Sequence, residues 1–260
     1  MRLERLTSPA AGAILARDPV VLLPLGTVEV HGRHLPLNTD MLAPEYVIDR
    51  IEEQLPDVLI LPSLHFGTCD TQTEFPGTLS LGPKLLYEVL MKIFESLYRQ
   101  GARRFAVING HGPNSAPVER AALELHRRGA QLAVLNWWRY VWDINPDWRG
   151  GHGGGQETSA MLAIAPELVR PDEFEPAKAA GISADMPANG WDNVLYRGVN
   201  IPVPRTDVHV TDNGWLGDDP LESASAEQGF AMLQAATDWA VQLLTELKNM
   251  ELPISREAKA

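Results

Sequence analysis

The chain has 260 residues, 45% apolar and 22% charged, a mixture that suits a folded α/β protein and argues against long disorder, collagen and coiled coil. Its 22 Lys and Arg stand against 34 Asp and Glu, a net charge of −12, and the longest basic runs are pairs such as Arg103-Arg104, so nucleic acid and anionic membrane surfaces are excluded as partners. Cys69 is the only cysteine, which rules out an internal disulfide and a cysteine zinc cluster; without an apolar run of about 18 residues or a signal-peptide layout, the expected location is cytoplasmic.

In chain order, four short runs lack polar alternation: VVLLPL (20–25), DVLILP (57–62), RFAVIN (104–109) and LAVLN (132–136). Strands buried on both faces of a parallel sheet read this way. Between the second and third, Leu85, Leu86, Val89, Leu90, Ile93, Phe94 and Leu97 recur at helical spacing and stop near Gly101. Residues 117–128 form the next expected helix, with proline near its start and glycine after its end; others are expected over about 156–169 and 226–249. Alternating strands and helices predict a three-layer αβα sandwich around a mainly parallel sheet, taken as one domain over 1–260. The stretch 171–223, rich in Pro, Gly, Asp and Asn, reads as an irregular excursion or a subunit-contact arm.

The first strand runs into GTVEVHGRHLPLNTD (26–40), where Glu29 and His31, two apart in an extended segment, leave the same face, and Asp40 follows in a proline-interrupted loop. The third strand ends in INGHGPNS (108–115), placing His111 beyond a strand's carboxyl end, where open α/β sheets bind ligands. A glycine-dense stretch, WRGGHGGGQETS (148–159), carries Trp148, His152 and Glu157. Glycine at that density lets backbone approach a ligand closely.

Glu29, His31, Asp40, His111 and Glu157, with His34 and His152 nearby, offer imidazole and carboxylate without thiolate, which suits zinc, manganese or iron better than calcium or copper. Three carboxylates are better balanced by two divalent ions than by one. Taken singly, each histidine reads as an ordinary core or surface residue, and Asp40 as the cap of a helix beginning at Met41 or Ala43. Joint occurrence of the motifs favours metal. His126 reads as solvated, while His65 and His209 carry no signal. The chain has no G-x-S-x-G elbow, no P-loop and no dinucleotide fingerprint. Four tryptophans within 137–148 fit either core packing or stacking on a planar substrate at Trp148.

The ordered motifs GTVEVHGRHLPLNTD, FPGTLSL, INGHGPNS and GHGGGQETSAM resemble those of the creatininase (creatinine amidohydrolase) family, over about Leu23 to Leu168. The resemblance implies a parallel sheet flanked by helices and two divalent ions, zinc or manganese with iron as an alternative. It implies Glu29, His31, Asp40 and His111 as metal ligands, with Asp40 bridging. It further implies Trp148 and His152 as substrate contacts, and a homo-oligomer, a hexamer built as a trimer of dimers. Glu157 matches the family's acidic residue five beyond that histidine. Creatininase itself has a metal-binding glutamate two residues after the histidine of the N-G-H motif; this chain has Pro113 there, so the second ion takes Glu157 or water instead, or binds weakly.

The expected function is hydrolysis of a C–N bond in a cyclic amide or related small molecule, by a metal-bound hydroxide, with His152 and Glu157 catalytic and His152 protonating the leaving nitrogen. Other members open the ring of an oxidised inositol (3-dehydro-scyllo-inosose type), deformylate a formamidopyrimidine or trim a peptide, and a non-catalytic metabolite-binding member is the alternative from another class. The net negative charge disfavours strongly anionic substrates.

Overall fold

The structure, a computed structural model, describes residues 1–255. Four parallel strands form its sheet: β1 (Val20–Leu25), β2 (Leu59–Ile60), β3 (Arg104–Asn109) and β4 (Gln131–Asn136), in the order β2-β1-β3-β4. The helices are α1 (Ser8–Leu15), α2 (Thr39–Gln54), α3 (Gly82–Arg99), α4 (Ser115–Arg127), α5 (Trp137–Ile144), α6 (Gly155–Ile164), α7 (Pro220–Ser223) and α8 (Ala226–Asn249). A hairpin of β5 (Asn193–Tyr196) and β6 (Val199–Pro202) stands apart from the sheet.

Strand residues alternate between two apolar cores. Val20, Leu22, Ala106 and Ile108 face one with Val47 and Ile51 of α2, Met161 of α6 and Leu233 and Ala240 of α8. Val21, Leu23, Phe105 and Val107 face the other with Leu86, Leu90 and Phe94 of α3 and Val118 and Leu125 of α4. Because both strand faces are buried, the sequence shows apolar runs rather than alternation. The architecture is the expected αβα sandwich.

Three local features depart from expectation. The second strand shrinks to Leu59–Ile60, and pairing resumes only as a bridge between Leu25 and Leu64, after Pro62. Helix α6 ends at Ile164 because Pro166 forces Ala165 out of helical geometry, to φ −150°. Helix α2 begins at Thr39 with Asn38 at its N-cap, so Asp40 sits inside the first turn and caps nothing. Residues 171–223 hold mostly loop, short 3-10 turns, the β5–β6 hairpin and α7. Among the described residues no helix is long and apolar enough to cross a membrane.

The chain passes from β1 to β2 on one side, then crosses to β3 on the other. That reversal opens a crevice beyond the carboxyl ends of β1 and β3, the two strands whose following turns carry Glu29, His31 and His111.

Candidate metal centre

Glu29 and His31 leave the same face of the segment after β1, as their spacing predicts, and both side chains are fully buried. Gly110, after β3, lies so close to α2 that an added Cβ would collide with the Asp40 carbonyl oxygen. This contact brings His111 against Asp40. His111 Nδ1 lies 3.0 Å from both Glu29 Oε1 and Asp40 Oδ2. On the other side of Asp40, His31 Nε2 is 3.1 Å from Oδ1, 3.6 Å from Glu157 Oε2 and 3.9 Å from Glu29 Oε1. Glu157 is held in the first turn of α6, its Oε2 accepting the Gly153 N–H at 2.7 Å.

Three three-residue groups with metal-ligand spacing result, Glu29–Asp40–His111, His31–Asp40–Glu157 and Glu29–His31–His152, and Asp40 belongs to the first two. The far nitrogen of each histidine faces a backbone carbonyl: His31 Nδ1 that of Glu29 at 3.2 Å, His111 Nε2 that of Thr68 at 2.8 Å. In the neutral ring, an N–H donated there leaves a lone pair on the nitrogen facing the carboxylates, the arrangement of a metal-ligating imidazole. Glu29 Oε1 and Oε2 and Asp40 Oδ2 are buried without a hydrogen-bond partner, although His111 Nδ1 is near. Converging lone pairs on buried, unpartnered oxygens are what a cation site presents, so the donor set fits divalent ions.

Protonation reflects the same crowding. Burial pushes the Glu29 and Glu157 carboxyls up to about 7, against the pull of the neighbouring histidines. Burial acts on Asp40 in the same sense, but His31 and His111 outweigh it and hold Asp40 well below the usual carboxylate range. Burial would lower His31; the charges of Asp40 and Glu157 overcome it and raise the imidazole to about 10. His152 goes the other way, down to about 3, by burial and by the adjacent His31, whose ring stacks on it at 4.2 Å between centroids. His152 Nε2 lies 2.7 Å from the Val30 carbonyl and Nδ1 is 3.7 Å from Glu29 Oε1. Neutral His152 therefore keeps its proton on Nε2 and turns a lone pair to the cluster.

Glu29, Asp40, His111, His152 and Glu157 line a cavity of about 610 Å³. Pro113 lines it too, so no carboxylate enters from the turn after His111. Its aromatic walls are Trp138, Trp142 and Trp191, whereas Trp148 packs against the α2–α6–α8 core and is not among the lining residues. His34 is buried away from the cluster, its Nε2 2.9 Å from the Gly153 carbonyl. Among the lining residues that escaped the sequence reading are Thr71 and Gln72, and Trp191, Asp192 and Asp207 of the irregular excursion. No periodicity marks them.

The Creatininase family profile, described as creatinine amidohydrolase, matches residues 4–244. A creatinine amidohydrolase of Pseudomonas putida is 36% identical over 178 residues, 60% of this chain and 68% of that one. A mycofactocin precursor peptide peptidase of Mycolicibacterium smegmatis is 32% identical over 174 residues, 65% of this chain and 67% of that one. Among solved structures, a tryptophan-to-alanine mutant creatininase superposes with a TM-score of 0.73 at 29% identity, covering 95% of this chain and 98% of that chain. A creatininase described as the Mn form gives 0.73 at 29%, covering 94% and 97%, and a mutant described as Zn-Zn type gives 0.72 at 29%, again covering 94% and 97%. The chain belongs to the creatininase family.

Proposed function

We propose that this chain is a divalent-metal-dependent hydrolase that cleaves a C–N bond in a cyclic amide or related small molecule. The observation that carries the reading is the shared carboxylate: Asp40 Oδ2 faces Glu29 and His111 while Oδ1 faces His31, with Glu157 beyond. Glu29, Asp40 and His111 would hold one ion, and His31, Asp40 and Glu157 the other, zinc or manganese as named for the similar creatininase structures. Such a pair supplies Lewis acidity and lowers the pKa of a coordinated water from 15.7 to roughly 7.

The protein's own groups manage the protons. His152, with Nε2–H held by the Val30 carbonyl, presents a free Nδ1. It accepts the proton of the attacking water there and passes it to the departing nitrogen, which makes it base first and acid second. Trp138, Trp142 and Trp191 form apolar walls suited to a flat substrate. The cavity volume fits a small molecule rather than a folded partner. A peptide amide is the second reading, favoured by the relatives described as peptide peptidases.

The test assays cyclic amides, formamides, short peptides and inososes side by side on protein loaded with Zn²⁺ or Mn²⁺, with bound metal counted in parallel. Turnover of a cyclic amide that disappears on chelation supports the proposal. Ring opening of an inosose alone, or protein that takes up no divalent ion, overturns it; the latter is the behaviour of a metabolite-binding relative that has lost catalysis.

A further inference from the structure

The cavity has a second polar wall, opposite in character to a cation site. Asp207 begins a 3-10 turn (Asp207–His209) that packs against another (Asp70–Gln72), and only 4% of its surface is exposed. Thr71 Oγ1 donates to Asp207 Oδ2 at 3.1 Å, and the nearby Gln72 side chain, like Thr71, favours the ionised carboxylate. Among the described residues no lysine, arginine or histidine forms an ion pair with it, and none of the cavity-lining residues is a lysine or arginine. Gln72 is itself only 7% exposed, lines the same cavity and keeps a buried Oε1 with no partner.

A carboxylate has about four lone-pair positions to satisfy, and the one hydrogen bond from Thr71 leaves it short. An unpartnered amide oxygen beside it is a further acceptor without a donor. Burial raises the Asp207 carboxyl to about 6, and the charge of Asp192, also on the cavity wall, adds to the rise. Everything missing from this wall is N–H and positive charge. The wall belongs to the same cavity as His111, whose Nε2 faces the carbonyl of Thr68, three residues before Thr71.

We propose that Asp207, supported by Gln72, is a specificity residue that seats a cationic nitrogen group of the substrate, a guanidinium or protonated amine, on the cavity wall beside the metal centre. The assignment rests on the hydrolase reading only in treating the cavity as a substrate site. A guanidinium suits the wall best, since its planar fork can meet the carboxylate in two parallel hydrogen bonds while its face lies against an aromatic such as Trp191.

The test measures binding, with no turnover needed. Calorimetric titration of the zinc-loaded protein with methylguanidinium, methylammonium and the neutral isostere methylurea should show the cations binding at least about tenfold more tightly than the urea, the range expected of a charged hydrogen bond. Asp207→Asn should abolish that preference with zinc content unchanged. Equal binding of cation and urea by the wild type, or a preference that survives in Asp207→Asn, overturns the proposal. Should the variant not fold, crystals of the zinc-loaded wild type soaked in methylguanidinium decide: density on the Asp207 carboxylate supports it, and density elsewhere or none overturns it. If amides are never turned over while the cation preference stands, the hydrolase reading fails and this one does not.

Discussion

His152 and Glu157 are five residues apart and meet the same cluster, yet their chemistry diverges with their partners. Glu157 is fixed by the Gly153 N–H and reaches toward His31, a ligand's position. His152 is fixed by the Val30 carbonyl, stacks on His31 and has its pKa lowered, which suits the proton-carrying role proposed for it. His152→Ala should therefore leave the metal content unchanged while lowering turnover by roughly 10²–10⁴-fold. Normal turnover in that variant, measured beside metal content, would remove His152 from the mechanism. Asp207 yields a second prediction. Its carboxyl is raised from 3.8 to about 6 by burial, with Thr71 and Gln72 opposing, Asp192 adding to the rise and His111 opposing weakly. A raised carboxyl pKa means that the neutral form is favoured in the fold, so its contribution is fully present below about pH 4 and lost as pH climbs through 6. Asp207→Asn, permanently neutral, should gain stability relative to wild type on going from pH 4 to pH 8, read as the difference in melting temperature; a difference independent of pH would show that the burial is not felt.

At the scale of elements, two turns do most of the positioning. The one after β3 depends on Gly110, which has room for no side chain against the first turn of α2. Gly110→Ala should separate His111 from Asp40, lowering metal affinity, and the overpacking should cost about 1–3 kcal/mol, visible as a fall of several degrees in melting temperature. A variant as stable and as avid for zinc as wild type would show that the turn relaxes freely. These turns were legible in the sequence because each follows an apolar run too short and too uniform to be anything but an interior strand. The ligand types follow the run immediately, so Glu29, His31 and His111 could be placed without coordinates. Helix α2 was harder to see, since Pro44 interrupts its pattern and hides that Asp40 lies within its first turn. The excursion was opaque for a different reason: Trp191 and Asp207 are held by loops and short turns, whose conformation depends on contacts distant in sequence. Trp148, singled out by motif, packs against the same core as Trp138 and Trp142 but is not among the residues lining the cavity.

At the scale of the molecule, the cluster joins four separate lengths of chain: the segment after β1, the start of α2, the turn after β3 and the start of α6. A cation bound there ties the crevice shut across the point where the sheet reverses, so metal binding and folding share free energy. At a free ion concentration a hundred times Kd, one site adds about 2.7 kcal/mol. For a chain of this size that is a rise of roughly 5–11 °C in melting temperature, lost on chelation. The two groups assigned to the ions share only Asp40, which makes their separate removal informative. Asp40→Asn should lose both ions and nearly all of the metal-dependent shift. Glu157→Gln should lose the ion held with His31 and keep the one held by Glu29 and His111, leaving one ion per chain and about half the shift. Metal counting by atomic emission on both variants, run beside melting curves with and without chelator, checks the assignment. If Glu157→Gln still carries two ions, the position left without a carboxylate by Pro113 is completed by something other than Glu157, and the second half of the centre must be redrawn.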